Sequence, residues 1–174
     1  MAMLEPDDAS GIRFLTDEET DALLAAPDGS TWIGRRDHTL LQVAVHTGLR
    51  ASEIVRLCRA DAHLDTDPHL CCHGQGGAYR AIPLTPETVA ALSMWLAEGN
   101  DTELIFCTRS GGPLNPAAVE QVIAKHAATA ARANPALRIT DVSSYTLRHT
   151  AARSLLHNGA APSVVPFLLG YETP

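Results

Sequence analysis

Lysine is almost missing from this chain. Of its 13 basic residues, twelve are arginine and one is Lys125. Aromatic side chains are scarce at 5%, and the only tyrosines are Tyr79, Tyr145 and Tyr171. No apolar run approaches the ~20 residues of a membrane-spanning helix. The opening Met-Ala-Met-Leu-Glu-Pro-Asp-Asp has neither the basic nor the apolar region of a secretory leader. A cytoplasmic chain with no membrane partner is expected. There is no G-x-x-x-x-G-K-[ST], no G-x-S-x-G and no H-E-x-x-H. Gly74 and Gly76 begin a G-x-G-x-x-G pattern, but its sixth place is Tyr79 and no helix follows. Neither a cofactor nor a small-molecule substrate is therefore expected.

The cysteines, Cys58, Cys71, Cys72 and Cys107, contain no C-x-x-C pair, and read as reduced, buried thiols. In His69-Leu70-Cys71-Cys72-His73, a strand would place His69, Cys71 and His73 on one face. No second ligand cluster is visible and the spacing matches no common zinc pattern, so no metal is expected. What the chain does have is enough apolar residue, 45% of 174, for one domain with its own core. Its formal charge of -7 argues at first sight against nucleic acid. That charge is local. Residues 1–28 hold eight acids and one base, Arg13, and the remainder is neutral. Residues 1–13 read as an acidic lead-in and residues 14–174 as the domain.

Thr16 with Glu19 forms a capping box opening a helix through Ala26. Further helices are expected over Arg35–Thr47, ended by Gly48, and from Ala51 or Ser52 to Leu57. Ala62–Leu64, His69–His73 and Tyr79–Leu84 read as an antiparallel sheet, with a glycine-rich turn at 74–77. Pro86 and Pro116 each suit the first position of a helix, running to Ala97 and Ala133. Leu104–Cys107 reads as a short strand. Ser144 can cap a helix from Tyr145 to His157, and Pro162–Leu169 forms a last short helix. The fold class is α+β, mostly helical with one small sheet.

Two arginine-centred segments stand out. Arg50 in Thr47-Gly48-Leu49-Arg50-Ala51-Ser52-Glu53-Ile54 sits at a corner between two helices, with Glu53 one turn on. In Tyr145-Thr146-Leu147-Arg148-His149, Tyr145 and Arg148 share a helix face. Two guanidiniums beside hydrogen-bonding rings suit a phosphate, because each offers a planar fork of donors. The same arginines could equally serve as helix-terminal ion pairs in an unrelated helical interaction module.

The order of these segments resembles the catalytic domain of the tyrosine recombinases, or phage-type integrases, over residues 14–174. Arg50 resembles the first catalytic arginine and Glu53 the acid that supports it. Gly74–Leu84 resembles the hairpin that carries a catalytic lysine, with Gln75 and Ala78 where lysine is common. Tyr145–His149 resembles the H-x-L-R-H box, with Arg148 as second arginine, Tyr145 in place of histidine and His149 in a supporting role. Leu168-Leu169-Gly170-Tyr171 resembles the L-L-G-H box, with Tyr171 at the usual histidine or tryptophan. The resemblance implies double-stranded DNA as partner, other recombinase protomers, and metal-free strand cleavage and rejoining through a phosphotyrosine. It also implies a DNA contact for Arg80, which cannot replace a lysine acid because guanidinium holds its proton to above pH ~12. Lys125 is expected on a solvated helix face, so no lysine serves the hairpin. The family's nucleophilic tyrosine lies roughly two or three helical turns beyond the last box, past Pro174. The chain as given is therefore expected to be inactive in strand cleavage, or to be a DNA-binding or self-associating remnant of a mobile-element integrase.

Overall fold

The computed structural model describes residues 13–74 and 77–170. The acidic lead-in up to residue 12, Gln75 in the hairpin and Tyr171 fall outside them. Helices α1 (Asp17–Ala25), α2 (Trp32–Thr47) and α3 (Ala51–Ile54) lead into a 3-10 turn at Arg59–Asp61. Strands β1 (Ala62–His63), β2 (His69–His73) and β3 (Tyr79–Pro83) follow, then α4 (Pro86–Ala97), α5 (Pro116–Ala133), α6 (Ser144–His157) and α7 (Val165–Leu168). The sheet is antiparallel in the order β1-β2-β3, with His63 opposite His69 and His73 opposite Tyr79. No helix among the described residues is long and apolar enough to cross a membrane.

Local chemistry accounts for the helix starts. The side chains of Thr16, Thr31, Thr85, Asn115 and Ser143 each accept a hydrogen bond from a backbone N–H in the first turn, satisfying donors the helix leaves open. Three of the expected bounds shift, the first two for this reason. The second helix begins at Trp32 rather than Arg35, because Thr31 caps it. Ser143, not Ser144, caps α6, and Ser144 is its first helical residue. The third helix stops at Ile54, where Arg56 N–H and Leu57 N–H turn back to the carbonyls of Glu53 and Ile54. The expected strand at Leu104–Cys107 is also corrected. It makes only isolated bridges, Cys58 with Leu104 and Cys107 with Pro113. Its partner at Leu57–Cys58 is cut short by the 3-10 turn at Arg59 and offers no longer ladder. The last helix is confined to Val165–Leu168, after a turn over the residues following Pro162.

Helix α2 runs through the core and packs on α1, α4 and α6. Leu40, Leu41, Val43 and Val45 are buried with Ile54, Leu70, Ile82, Leu92, Phe106 and Leu147, tying sheet and helices into one apolar centre. A buried polar staple crosses it. The Arg36 guanidinium donates from Nε and Nη2 to Asp37 Oδ1, at 2.9 and 2.7 Å, and from Nη1 to the Cys107 carbonyl at 3.1 Å. His126 Nε2 lies 2.7 Å from Asp37 Oδ2. Burial alone would raise the Asp37 carboxyl, but the His126 and Arg36 hydrogen bonds and charges outweigh it and hold it below the usual range. A depressed carboxyl binds its proton more weakly in the folded than in the unfolded chain. Its stabilisation is therefore full above about pH 4 and is lost as pH falls through the lowered folded value. We expect urea midpoints to fall as pH drops below about 4, and Asp37→Asn to flatten that acid limb while lowering the plateau.

Candidate phosphate-binding site

The site forms where α2, α3, α6 and α7 end or begin together. Gly48 closes α2 in the left-handed conformation, φ +67°, and turns the chain so that Arg50 leads into α3. The Glu53 carboxylate accepts the Arg50 N–H at 2.9 Å, which anchors that corner. On α6, Arg148 is buried and donates from Nη1 to the Gly48 carbonyl, at 2.5 Å, and from Nη2 to the Leu169 carbonyl, at 3.1 Å. One guanidinium thereby ties the ends of α2 and α7 to α6. The first turn of α6 is held in turn by Glu120 of α5, which accepts from Ser144 N–H at 3.1 Å and from the Ser144 hydroxyl.

Arg50, Ala51, Ser52, Pro116, Ser144, Tyr145 and Arg148 line one open cleft of about 410 Å³. Both expected arginines and the expected ring thus meet in a single concavity. Tyr145 is exposed at 60%, with its ring edge against His149 at 4.3 Å between centroids. His149 is not among the residues lining the cleft and packs its ring against that of Tyr145. Burial, and then the charge of Arg148, holds its imidazole below the ordinary histidine value, favouring the neutral ring. Its Nε2 is buried without a hydrogen-bond partner. Tyr171 lies outside the described residues.

The supporting acid has a second partner that spacing did not reveal. Arg80, expected as a DNA contact, is buried at 7% exposure. Its Nη1 and Nη2 grip Glu53 at 2.6 and 3.1 Å, and its Nε donates to the Leu168 carbonyl at 3.0 Å. The guanidinium is thus committed on both edges beneath Gly170, to Glu53 and to the end of α7. A Cβ on Gly170 would stand 2.7 Å from that guanidinium. Burial tends to raise the Glu53 carboxyl, but the Arg80 fork, the Arg50 N–H and the Cys72 thiol hold it below the usual carboxylate range. Burial, reinforced by Glu53, pushes the Cys72 thiol up to about 12, so it stays protonated and donates to Glu53. Ala78 sits on the hairpin, closed by Gly74 N–H to the Ala78 carbonyl at 2.6 Å. Lys125 is exposed on α5, as expected, and is not among the residues lining the cleft.

Ser52, Ser144 and Pro116 also line the cleft, although none is a site residue expected from the sequence, and Glu120 acts through Ser144. Ser52 lies inside the arginine segment that drew attention, so its position was readable. Glu120 gives no local signal, since its partner is 24 positions away.

A helical domain with one small sheet, whose arginines from separate elements converge on an open cleft, has the architecture of a tyrosine-recombinase catalytic domain. The chain superimposes on the XerA recombinase with a TM-score of 0.77 at 23% identity, covering 92% of this chain and 56% of that one. It matches the lambda integrase catalytic core with a TM-score of 0.67 at 20% identity, covering 92% of each. Residues 13–174 match the model of the phage integrase family, and the chain belongs to that family. It is 43% identical over 164 residues to the putative integrase/recombinase y4rC of Sinorhizobium fredii, covering 93% of this chain and 49% of that protein. It is 33% identical to the tyrosine recombinase XerD of Pseudomonas aeruginosa, covering 92% of this chain and 54% of that protein. The chain spans about half the length of these curated relatives.

Proposed function

We propose that this domain binds duplex DNA by a backbone phosphate seated in the cleft, as part of a site-specific integrase that assembles with other protomers. The observation that carries the reading is the convergence of Arg50, Arg148 and Tyr145 on one open concavity. A similar protein, the XerH recombinase in complex with its difH substrate, matches with a TM-score of 0.75 at 25% identity, over 92% of this chain and 47% of that one. In the proposed role Arg50 and Arg148 stabilise charge on the phosphate as it is attacked, from positions set by folding. The Tyr145 hydroxyl donates a further hydrogen bond.

The proton steps are less well provided. Ala78 has no proton to give the leaving 5′-oxygen. Arg80 does not deputise, since its fork is spent on Glu53. Burial would lower its affinity for its proton, but the Glu53 contacts outweigh this and raise it. An absent general acid costs typically ~10²–10⁴ in rate, so we propose that the chain is inactive in strand cleavage as given. The second reading, a non-catalytic DNA-binding or self-associating remnant, is favoured by one pattern. Both phosphate-holding arginines are kept, while Ala78 and Tyr145 replace proton-handling residues.

The test is a nicked suicide duplex with an ordinary bridging oxygen at the scissile phosphate, whose 5′-oxygen needs an acid to leave. Salt-sensitive, non-covalent binding with no covalent adduct is the expected result, and an adduct would overturn the inactivity. Tyr145→Phe together with Tyr171→Phe is expected to weaken DNA affinity roughly two- to tenfold at matched salt. Unchanged affinity would remove those hydroxyls from the phosphate site.

A further inference from the structure

The outer face of the sheet carries chemistry that the cleft does not use. The β1–β2 register sets His63 directly across from His69, and the two-residue period of β2 places Cys71 on the same face as His69. The donor atoms of His63, His69 and Cys71 all lie within 4.8 Å of one another. We propose that these three side chains bind a divalent transition metal of the zinc class, clipping β1 to β2.

Two features support this beyond proximity. Imidazole and thiolate together select zinc-like ions over magnesium or calcium, which prefer oxygen donors. His69 Nδ1 lies 2.8 Å from the Asp67 carbonyl, and Asp67 is itself held in the left-handed region, φ 51°. That contact fixes Nδ1 as the donor and leaves Nε2 with its lone pair, the arrangement that orients a metal-binding histidine.

Tetrahedral coordination brings such donors to roughly 3.3–3.6 Å apart, from the usual metal–nitrogen and metal–sulfur lengths. The imidazoles are stacked, 4.5 Å between centroids and 15° between planes. His63 must therefore turn edge-on, which its exposed position allows. On coordination the Cys71 thiol releases its proton to solvent and the sulfur donates an electron pair to the metal. A fourth position stays open to water. Cys72 and Arg80 face the opposite side of the sheet, so the site is separate from the phosphate cleft and acts on the sheet rather than on DNA chemistry.

The strand period alone groups His69 and Cys71 with His73, but the structure replaces His73. His73 Nε2 lies 3.8 Å from Asp61 Oδ1, while strand pairing supplies His63 in its place.

The test is titration of the chelator-stripped chain with Co²⁺ alone, followed by displacement with Zn²⁺. The expected result is a single equivalent bound, with an intense thiolate-to-cobalt band in the near ultraviolet that zinc abolishes. The band should vanish in Cys71→Ser. Affinity should fall in His63→Gln by at least the ~10–100-fold that loss of an outer partner costs a metal site. His63 is exposed, so that variant folds normally by circular dichroism even if Cys71→Ser does not. Absence of the band, its survival in Cys71→Ser, or an undiminished affinity in His63→Gln would each overturn the proposal.

Discussion

Replacing Glu53 by alanine is expected to destabilise the domain by about 3–5 kcal/mol, the range for stranding one member of a buried ion pair. Glu53 and Arg80 side chains are only 6% and 7% exposed. Without the carboxylate, the Arg80 guanidinium loses two of its hydrogen bonds and keeps its desolvation cost. The Arg50 N–H and the Cys72 thiol lose their acceptor at the same time. Urea denaturation should show the loss as a lower midpoint. The control is the double variant Glu53→Ala with Arg80→Met, which removes the uncompensated charge and should recover part of the loss. If the double variant were as unstable as the sum of both single changes, the two residues would not be acting as a pair.

Gly48→Ala is expected to cost about 2–5 kcal/mol and to weaken DNA binding with it. Two effects combine. A residue with a Cβ at φ +67° carries a left-handed penalty of about 1–2 kcal/mol. The added Cβ would also stand 2.5 Å from Leu169 Cδ2 and 3.1 Å from the Ala151 Cβ, and overpacking costs about 1–3 kcal/mol. Leu169 and Gly48 supply the two carbonyls that hold Arg148. A shift there moves a cleft arginine as well as the core. Gly99→Ala separates the terms, because Gly99 has φ +72° but nothing within 4 Å of a Cβ. It should show the backbone penalty alone and leave DNA affinity intact. Equal losses in the two variants would mean that close packing at Gly48 contributes nothing.

Much of the fold was legible because its determinants are local. Thr16, Thr85 and Asn115 announce their helices within four residues. Gly48 announces the end of α2, and the glycine-rich turn between two short strand-like runs announces the hairpin. The arginine corner and the Tyr145–Arg148 face were legible for the same reason, since each is contained within one turn of chain. What stayed hidden depends on pairs distant in sequence. Arg80 looked like a surface cation on a hairpin, but Glu53, 27 positions earlier, draws it inside. Leu104–Cys107 has the apolar composition of a strand but lacks a partner long enough to make one. Glu120 and His63 act through partners brought to them by helix packing and strand register. The overall charge of -7 says little about the cleft, because the first 28 residues hold the excess of acids and the remainder is neutral.

The central claim is that the cleft between α3 and α6 holds a DNA backbone phosphate. It is tested most directly by anisotropy titrations of labelled duplex DNA across a salt series, with the wild-type chain and Arg50→Ala. Arg50 is half-buried at a corner anchored by its own backbone N–H to the Glu53 carboxylate, a contact the alanine variant keeps. The account predicts that wild-type affinity falls steeply with salt. It predicts that Arg50→Ala binds more weakly and reduces the slope of log affinity against log salt by about 1, one phosphate contact. Salt-independent binding, or an Arg50→Ala variant with wild-type affinity and slope, would contradict it.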